Sequence, residues 1–161
     1  MLAEKKISIR NFSAKNIIGE DISLARYRNK VILIVNLASL CGYTNQYAGL
    51  VELYRRYKGK GLVILGFPSN DFNQEPGNES EIMEFCQAEY NVTFDVFAKI
   101  SVKGENIHPI YGFLTAEQPA VKWNFEKFLI GKDGQLSKRF LSAVAPLNEK
   151  ITAAIEYELA K

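Results

Sequence analysis

The chain has 161 residues, and its composition limits what it can be. Hydrophobic residues make up 47% of the sequence and charged residues 24%, close to the averages of globular proteins. Twenty basic and eighteen acidic residues leave a net charge of +2. The basic residues are scattered along the chain, so we expect no nucleic acid partner. A chain of this length can bury a sufficient core without cross-links, and we expect one domain over residues 1–161.

Neither the N-terminus nor the cysteine count indicates export or a membrane. The first residues lack the charged and apolar regions of a signal peptide, and no apolar stretch reaches about 18 residues. Cys41 and Cys86 are too few cysteines for a disulfide framework. With His108 as the single histidine, a multi-histidine metal centre is excluded. We therefore expect a cytoplasmic protein with no stable membrane association, no metal and no cofactor.

The first half of the chain has the pattern of a hairpin followed by a βαβ unit. Residues 7–12 fit one strand of a small hairpin that caps the sheet. Residues 31–37 form a continuous apolar run, which is typical of a strand buried on both faces. Apolar residues then recur at three- and four-residue intervals, which predicts a helix over 44–57 with Thr44 as its N-cap. A second apolar run over 62–67 predicts a parallel strand.

The second half of the chain begins with a long polar loop over 69–78, and loops of this length are usually functional. Further along, an Asp-Gly pair between two apolar runs is typical of a hairpin turn. The patterns predict a helix over 79–90, a short strand or extended segment over 97–102, antiparallel strands over 125–130 and 135–140, and a helix over 147–159. The whole pattern predicts an α/β fold with a central mixed β-sheet flanked by helices.

Cys41 is the candidate reactive residue, because it follows the buried strand and precedes the predicted N-cap of a helix. At that position we expect its sulfur to lie near the positive end of the helix, where backbone N–H groups favour the thiolate. The thiolate is the nucleophilic form of a cysteine. The alternative is a buried structural cysteine.

Three segments resemble the motifs of the glutathione peroxidase family. Residues 36–44 (NLASLCGYT) are similar to the segment around its reactive residue, and residues 122–128 (KWNFEKF) are similar to its third motif. Residues 66–70 (GFPSN), followed by 74–77 (QEPG), resemble its second motif. The motifs occur in the family's order over most of the chain. The resemblance implies a thioredoxin-like fold and a thiol-dependent peroxidase, of the type that contains cysteine instead of selenocysteine, acting in antioxidant defence.

The family surrounds its reactive residue with a glutamine, a tryptophan and an asparagine, which match Gln74, Trp123 and Asn124 around Cys41. Neutral amide and indole donors can bond a thiolate, and later the leaving hydroxide, without adding a competing charge. Each of the three also has a structural alternative: Trp123 as a core residue, Gln74 as a solvated side chain, and Asn124 as a residue that bonds a turn.

The second motif departs from the family's pattern. The family commonly has FPCNQF and two further residues before QEPG, whereas this chain has FPSNDF over 67–72 and only Asn73 before Gln74. A loop that is one residue shorter could draw Gln74 back from the sulfur. Asp71 adds a negative charge in the same loop, and such a charge close to the sulfur would disfavour the thiolate.

Cys86 lies on the predicted helix after this loop. Cysteine-type members of the family often carry a resolving cysteine there, which condenses with the sulfenic acid to give a disulfide that thioredoxin reduces. The helix would then have to unwind in part, since Cα atoms more than about 7 Å apart cannot be bridged. The alternative is a buried, inert thiol at Cys86, in which case glutathione or another small thiol attacks the sulfenic acid directly.

The resemblance also implies a monomer with an open site. Tetrameric members carry an extra loop where this chain is short, between Tyr111 and Val121. The absence of that loop would admit lipid hydroperoxides as well as hydrogen peroxide. His108, next to Pro109, fits a capping or surface residue better than a catalytic base.

Two other functions are compatible with parts of the sequence. A disulfide oxidoreductase is disfavoured, because residues 41–44 lack the second cysteine of a Cys-x-x-Cys pair. A non-enzymatic peroxide sensor would pass oxidation to a partner protein through Cys86.

Overall fold

The structure is a computed structural model that describes residues 6–161, and this part of the chain contains seven strands and four α-helices. The strands are β1 (Ser13–Lys15), β2 (Asp21–Ser23), β3 (Val31–Leu37), β4 (Leu62–Pro68), β5 (Asp95–Val96), β6 (Lys127–Ile130) and β7 (Leu136–Phe140). The helices are α1 (Gln46–Tyr57), α2 (Glu79–Tyr90), α3 (Pro109–Leu114) and α4 (Glu149–Leu159).

A five-stranded mixed sheet in the order β5-β4-β3-β6-β7 is the centre of the fold. β3 runs parallel to β4 and antiparallel to β6, so the predicted α/β fold with a mixed sheet is confirmed. All seven residues of β3 are buried, as its continuous apolar run predicts. Leu33 and Val35 belong to the core that includes residues of α1, α2 and α4, whereas Ile32 and Ile34 belong to a second core with α3. Successive residues of β3 therefore belong to the cores on opposite faces of the sheet.

The crossover helix α1 begins two residues later than the sequence predicts. Asn45 is its N-cap and forms no side-chain capping bond, so the prediction of Thr44 as N-cap is wrong. The chain already winds in helical turns before α1, since the amide of Thr44 donates to the carbonyl of Cys41 at 3.0 Å. The Thr44 hydroxyl therefore turns back to the preceding loop, where it bonds the backbone of Ala38 and Cys41.

Residues 97–102, predicted as a short strand or an extended segment, form no strand. Only β5 pairs with β4 at this edge of the sheet, and Phe97 makes a single bridge to Asn16. The amides of Ala98 and Ile100 donate to the carbonyls of Lys15 and Pro68, whereas the amide of Val102 donates to the carboxylate of Asp71, so the segment bonds a different partner at each point.

The N-terminal hairpin is present, but its strands are β1 and β2 and not residues 7–12. They form a separate two-stranded sheet, and Ile9–Asn11 is a 3-10 turn capped by Ser8. Helix α3 is an element that sequence periodicity did not indicate, because it is only six residues long. His108 is its N-cap, with Nδ1 accepting from the amide of Ile110 at 3.1 Å, and the expected capping role of His108 is confirmed.

The remaining elements lie close to their predicted positions. Helix α2 spans the predicted residues, and α4 begins two residues later than predicted. β6 and β7 pair antiparallel across the Asp-Gly turn, in which Gly134 has a positive φ of 79°. Between residues 6 and 161, the chain forms no helix with the length and apolar character needed to cross a membrane.

Candidate active site

Cys41 lies in the loop between β3 and α1, at the carboxyl end of the central strand. Its Sγ accepts a hydrogen bond from the backbone amide of Tyr43 at 3.3 Å. The Thr44 hydroxyl accepts from the amide of Cys41 at 2.9 Å and donates to the carbonyl of Ala38 at 2.8 Å, which closes the loop. Cys41 is 9% exposed, and the neighbouring Leu40 is exposed. A backbone N–H directed at the sulfur favours its anionic form.

Gln74 is held against the cysteine loop in spite of the missing residue before it. Its backbone carbonyl accepts from the amide of Leu40 at 3.1 Å, one residue before Cys41. Asn73 adopts a left-handed φ of 59° and its amide bonds the carbonyl of Asn70, so a tight turn makes up for the shorter loop. The shorter loop therefore still brings the backbone of Gln74 to the cysteine loop.

Gln74 and Asn124 are in direct contact, since Nδ2 of Asn124 donates to Oε1 of Gln74 at 2.8 Å. This bond uses the carbonyl oxygen of Gln74 and leaves its NH₂ group to donate elsewhere. Asn124 is completely buried, and its Oδ1 has no hydrogen-bond partner within residues 6–161. A buried amide oxygen without a partner is unusual and marks the position as functional or strained.

Within the described chain, the carboxylate of Asp71 forms no hydrogen bond to the cysteine loop. Its carboxylate accepts from the hydroxyl of Ser101 at 3.1 Å and from the amide of Val102 at 2.6 Å. It therefore ties the 69–78 loop to the segment after β5, and its charge is satisfied there.

Trp123 lies at the surface, with 37% of its area exposed, and its ring centroid is 5.2 Å from that of Phe72. The backbone around it is fixed from β3, because Nδ2 of Asn36 donates to the carbonyl of Trp123 at 3.1 Å. Oδ1 of Asn36 accepts from the amide of Glu126 at 3.0 Å. Between them, Phe125 has a φ of 63°, which a bulky residue adopts only when its surroundings enforce it.

Asn36 is a residue whose role the sequence analysis missed. It lies in the first motif, but only its tertiary bonds to residues 123 and 126 reveal what it does. The available signal was a polar amide within the apolar run of β3, since a buried amide needs partners.

An ion pair and a buried ammonium group complete the support of the third motif. Glu126 pairs with Arg139 at 3.2 Å and accepts from the amide of Lys122 at 2.8 Å. Lys127 is completely buried, and its Nζ donates to Oε1 of Gln46 and to the carbonyls of Ser142 and Val144. Burial lowers the pKa of Lys127 to about 7.

Cys86 lies on α2, apart from these residues, in the same core as Cys41. It is 2% exposed and its thiol donates to the Tyr47 hydroxyl at 3.7 Å. Burial raises the pKa of the Cys86 thiol; the Tyr47 hydrogen bond lowers this pKa and the charge of Glu75 raises it further. Both cysteines are free thiols. The structure thus brings Gln74 and Asn124 together beside the Cys41 loop. The Cys86 thiol lies elsewhere in the core, hydrogen-bonded to the hydroxyl of Tyr47.

Comparison with known proteins identifies the family. The sequence model of the family described as glutathione peroxidase matches residues 9–115, which is more than half of the chain. The chain belongs to the glutathione peroxidase family. The family expected from the three motifs is confirmed, and with it the class of enzyme, a peroxidase.

Relatives of this chain extend the match beyond residue 115. A glutathione peroxidase of Lactococcus lactis is 49% identical over 142 residues, which cover 84% of this chain and 90% of the relative. A glutathione peroxidase-like peroxiredoxin of Schizosaccharomyces pombe is 48% identical over 134 residues, covering 80% and 85%. A hydroperoxy fatty acid reductase of Synechocystis is 44% identical over 168 residues, covering 97% and 98%.

Solved structures confirm the thioredoxin-like fold. The crystal structure of Trgpx in its apo form matches with a TM-score of 0.81 at 36% identity, over 98% of each chain. A thiol:disulfide interchange protein of the thioredoxin family from Chlorobium tepidum matches with a TM-score of 0.71 at 14% identity, over 98% of this chain and 99% of that one. The second similarity concerns the fold alone.

Proposed function

We propose that this protein reduces hydrogen peroxide and organic hydroperoxides to water and alcohols, with Cys41 as the attacking residue. The observation that carries the proposal is the sulfur of Cys41 at the carboxyl end of β3, with the Tyr43 amide donating to it at 3.3 Å. Such crevices at the carboxyl ends of parallel strands are where α/β proteins bind their ligands.

The first step follows from the chemistry of a thiolate. The Cys41 sulfur attacks one oxygen of the hydroperoxide, the O–O bond breaks, and the departing alkoxide or hydroxide takes up a proton. Cys41 becomes a sulfenic acid. In this proposal the NH₂ group of Gln74, the indole N–H of Trp123 and the amide of Asn124 stabilise the charge that develops. The bond between Gln74 and Asn124 supports this assignment, since it orients both amides in one place.

The second step returns Cys41 to the thiol, and we assign it to Cys86. Its thiol condenses with the sulfenic acid, and thioredoxin reduces the resulting disulfide. The position of both free thiols in one core supports this route, as does the similarity to a glutathione peroxidase-like peroxiredoxin. Glutathione, which would attack the sulfenic acid directly, is the alternative reductant.

The surface beside Cys41 suits organic hydroperoxides with an apolar tail. Leu40, next to Cys41 in the sequence, is 64% exposed, and the partly exposed ring of Trp123 lies next to Phe72, so both offer apolar surface to such a tail. The similarity to a hydroperoxy fatty acid reductase points in the same direction. We propose a monomeric, cytoplasmic enzyme of antioxidant defence.

Replacing each cysteine by serine tests the proposal. Cys41→Ser should lose peroxide consumption completely, because serine cannot supply the thiolate. Cys86→Ser should lose turnover with a thioredoxin system while it still forms the sulfenic acid at Cys41. Peroxide consumption is measured with thioredoxin, thioredoxin reductase and NADPH, and separately with glutathione and glutathione reductase. Normal peroxide consumption by Cys41→Ser would refute the assignment of the attacking residue.

The same measurement separates the enzyme from a non-enzymatic sensor. A sensor that passes oxidation to a partner protein through Cys86 should turn over poorly when the assay contains the thioredoxin system but not that partner. Sustained consumption of many equivalents of peroxide per chain would exclude it.

A further inference from the structure

Glu75 is a buried carboxylate without an ion pair in the described part of the chain. Three glutamates are buried there, and the other two form ion pairs, Glu126 with Arg139 and Glu158 with Lys161. Glu75 is 1% exposed, and its Oε2 has no hydrogen-bond partner among the described residues. A carboxylate in this state destabilises the fold, so its presence calls for an explanation.

The carboxylate of Glu75 contacts the cysteine loop directly. Its Oε1 accepts a hydrogen bond from the hydroxyl of Ser39, two residues before Cys41. Burial raises the pKa of Glu75, and the hydroxyl and the backbone of Ser39 oppose this effect more strongly than the charge of Lys99 does. The interaction that does most to offset the burial of this carboxylate therefore comes from the cysteine loop.

A second hydrogen bond joins the neighbouring residues of the same two loops. The amide of Leu40 donates to the carbonyl of Gln74 at 3.1 Å. Residues 39 and 40 are thus attached to residues 74 and 75 at two points, one through side chains and one through the backbone. One hydrogen bond leaves two segments free to pivot about it, whereas two adjacent bonds also fix their relative orientation.

The loop over 69–78 holds Glu75 and Gln74 from the other side. The amide of Glu75 donates to Oδ1 of Asn70 at 3.0 Å, within the tight turn that makes up for the shorter loop. The side chain of Gln74 is held by Nδ2 of Asn124 at 2.8 Å. Gln74 therefore has a fixed place in its own loop, and the bond between Glu75 and Ser39 connects that place to the cysteine loop.

We propose that Glu75 is a positioning residue for the reaction of Cys41 with peroxide, an inference that rests on the proposed function. Its bond to Ser39 holds the cysteine loop against Gln74, so that the Gln74 amide lies where charge develops in the first step. Glu75 itself takes no part in the bond changes. A carboxylate suits this task because a charged acceptor binds a hydroxyl about twice as strongly as a neutral one.

The proposal is tested by the loss of hydrogen peroxide after one equivalent is mixed with the protein, which measures the first step whether or not Cys86 reacts afterwards. Glu75→Leu replaces the carboxylate by an apolar side chain that cannot accept from Ser39. We expect peroxide consumption to be about tenfold slower, because the reacting groups are less well aligned. Glu84→Leu, the same change at an exposed position on α2, should stay within about twofold of the wild type.

Thermal unfolding, followed by circular dichroism, separates a positioning role from a structural one. Removal of an unpaired buried charge should leave the melting temperature of Glu75→Leu at or above that of the wild type, although its reaction is slower. The rate is compared at a temperature at which both proteins are folded. A rate per folded molecule equal to that of the wild type would mean that Glu75 only supports the fold, and would overturn the proposal.

The partner of Glu75 supplies a matched pair of variants. Ser39→Ala removes the hydroxyl and should slow the reaction as much as Glu75→Leu, whereas Ser39→Thr keeps a hydroxyl and should stay within about threefold of the wild type. The losses should not multiply in the double variant of Ser39→Ala and Glu75→Leu, since both changes remove the same bond. Multiplied losses, or a wild-type rate in Ser39→Ala, would contradict the proposal. Failure of the wild type to consume peroxide would instead refute the proposed function.

Discussion

Asn36 shows how one buried side chain sets the geometry of the candidate site. It is the polar residue of β3, and its amide bonds the backbone on both sides of Phe125. The left-handed φ of Phe125 costs on the order of 1–3 kcal/mol and persists only where the surroundings enforce it. The bonds from Asn36, together with the burial of the Phe125 ring, supply that enforcement and so fix Trp123 and Asn124.

At the residue scale we predict that Asn36→Ala lowers the free energy of unfolding by about 2–4 kcal/mol, since it leaves the Trp123 carbonyl and the Glu126 amide without partners. Chemical denaturation followed by circular dichroism measures the loss. Asn45→Ala is the matched control, because Asn45 is exposed and forms no capping bond, and it should change stability by less than about 0.5 kcal/mol. Equal losses in the two variants would contradict the role of Asn36.

The chemistry of single residues was partly accessible from the sequence. Cys41, Gln74, Trp123 and Asn124 are named by the motifs, and their catalytic roles stay predictions. The bonding of Asn36 and the isolation of Glu75 could not be read from the motifs, because both depend on which backbone groups the fold brings within reach.

Helix α2 is closed by capping interactions at both ends. Asn78 accepts from the amide of Glu81 at 2.9 Å and the Glu81 side chain accepts from the amide of Asn78, which is a complete capping box. At the other end Asn91 adopts the left-handed conformation that closes a helix. If α2 has to unwind before Cys86 reaches Cys41, these caps set the rate.

At the element scale we therefore predict that Asn78→Ala accelerates disulfide formation. Loss of the N-cap bond costs a helix about 1 kcal/mol, which raises the unwound population about fivefold. The rate is measured by acid quench after one equivalent of hydrogen peroxide, followed by thiol alkylation and mass spectrometry of the Cys41–Cys86 disulfide. Asn148→Ala removes the N-cap of α4, a helix without a cysteine, and should leave the rate unchanged. A rate in Asn78→Ala no faster than that in Asn148→Ala would show that unwinding does not limit the step.

Elements differ in how far the sequence predicts them. β3 and α2 lie at their predicted positions because each has a strong pattern, a continuous apolar run or a helical period. α3 and β5 are too short for any periodicity, and they form because tertiary contacts complete them. Residues 97–102 form no strand because their amides bond different partners, Lys15, Pro68 and Asp71, and such contacts between distant segments have no local signal.

At the scale of the whole molecule, Lys127 joins three parts of the fold. It extends from β6 to the first residue of α1 and to two carbonyls of the segment before α4. All three acceptors are neutral, so the ammonium loses its hydration without gaining an opposite charge at hydrogen-bond distance. Burial lowers the pKa of Lys127 from 10.5 to about 7, and the charge of Glu126 only partly opposes this.

We predict that this lysine makes stability depend on pH. Below pH 7 the folded and unfolded chains both hold the proton, so Lys127 contributes no slope. Between about pH 7 and 10 the unfolded chain holds a proton that the folded chain has lost, so stability rises with pH, by at most about 1.4 kcal/mol per unit. The unfolding free energy of the wild type minus that of Lys127→Met should therefore rise across this range.

Urea denaturation at several pH values gives that difference. Lys138→Met, an exposed lysine on β7, is the control and should show no such growth. A difference that stays constant from pH 7 to 9 would mean that Lys127 stays charged in the fold. The expectation of a single domain over residues 1–161 stays a prediction at this scale.

The place of Trp123 has a practical consequence. It is the single tryptophan of the chain, it lies half-exposed at the candidate site, and its ring is near that of Phe72. The intrinsic fluorescence of the protein, when tryptophan is excited selectively, therefore arises from this one location. A change in emission on addition of peroxide would report an event beside Asn124 without any attached dye.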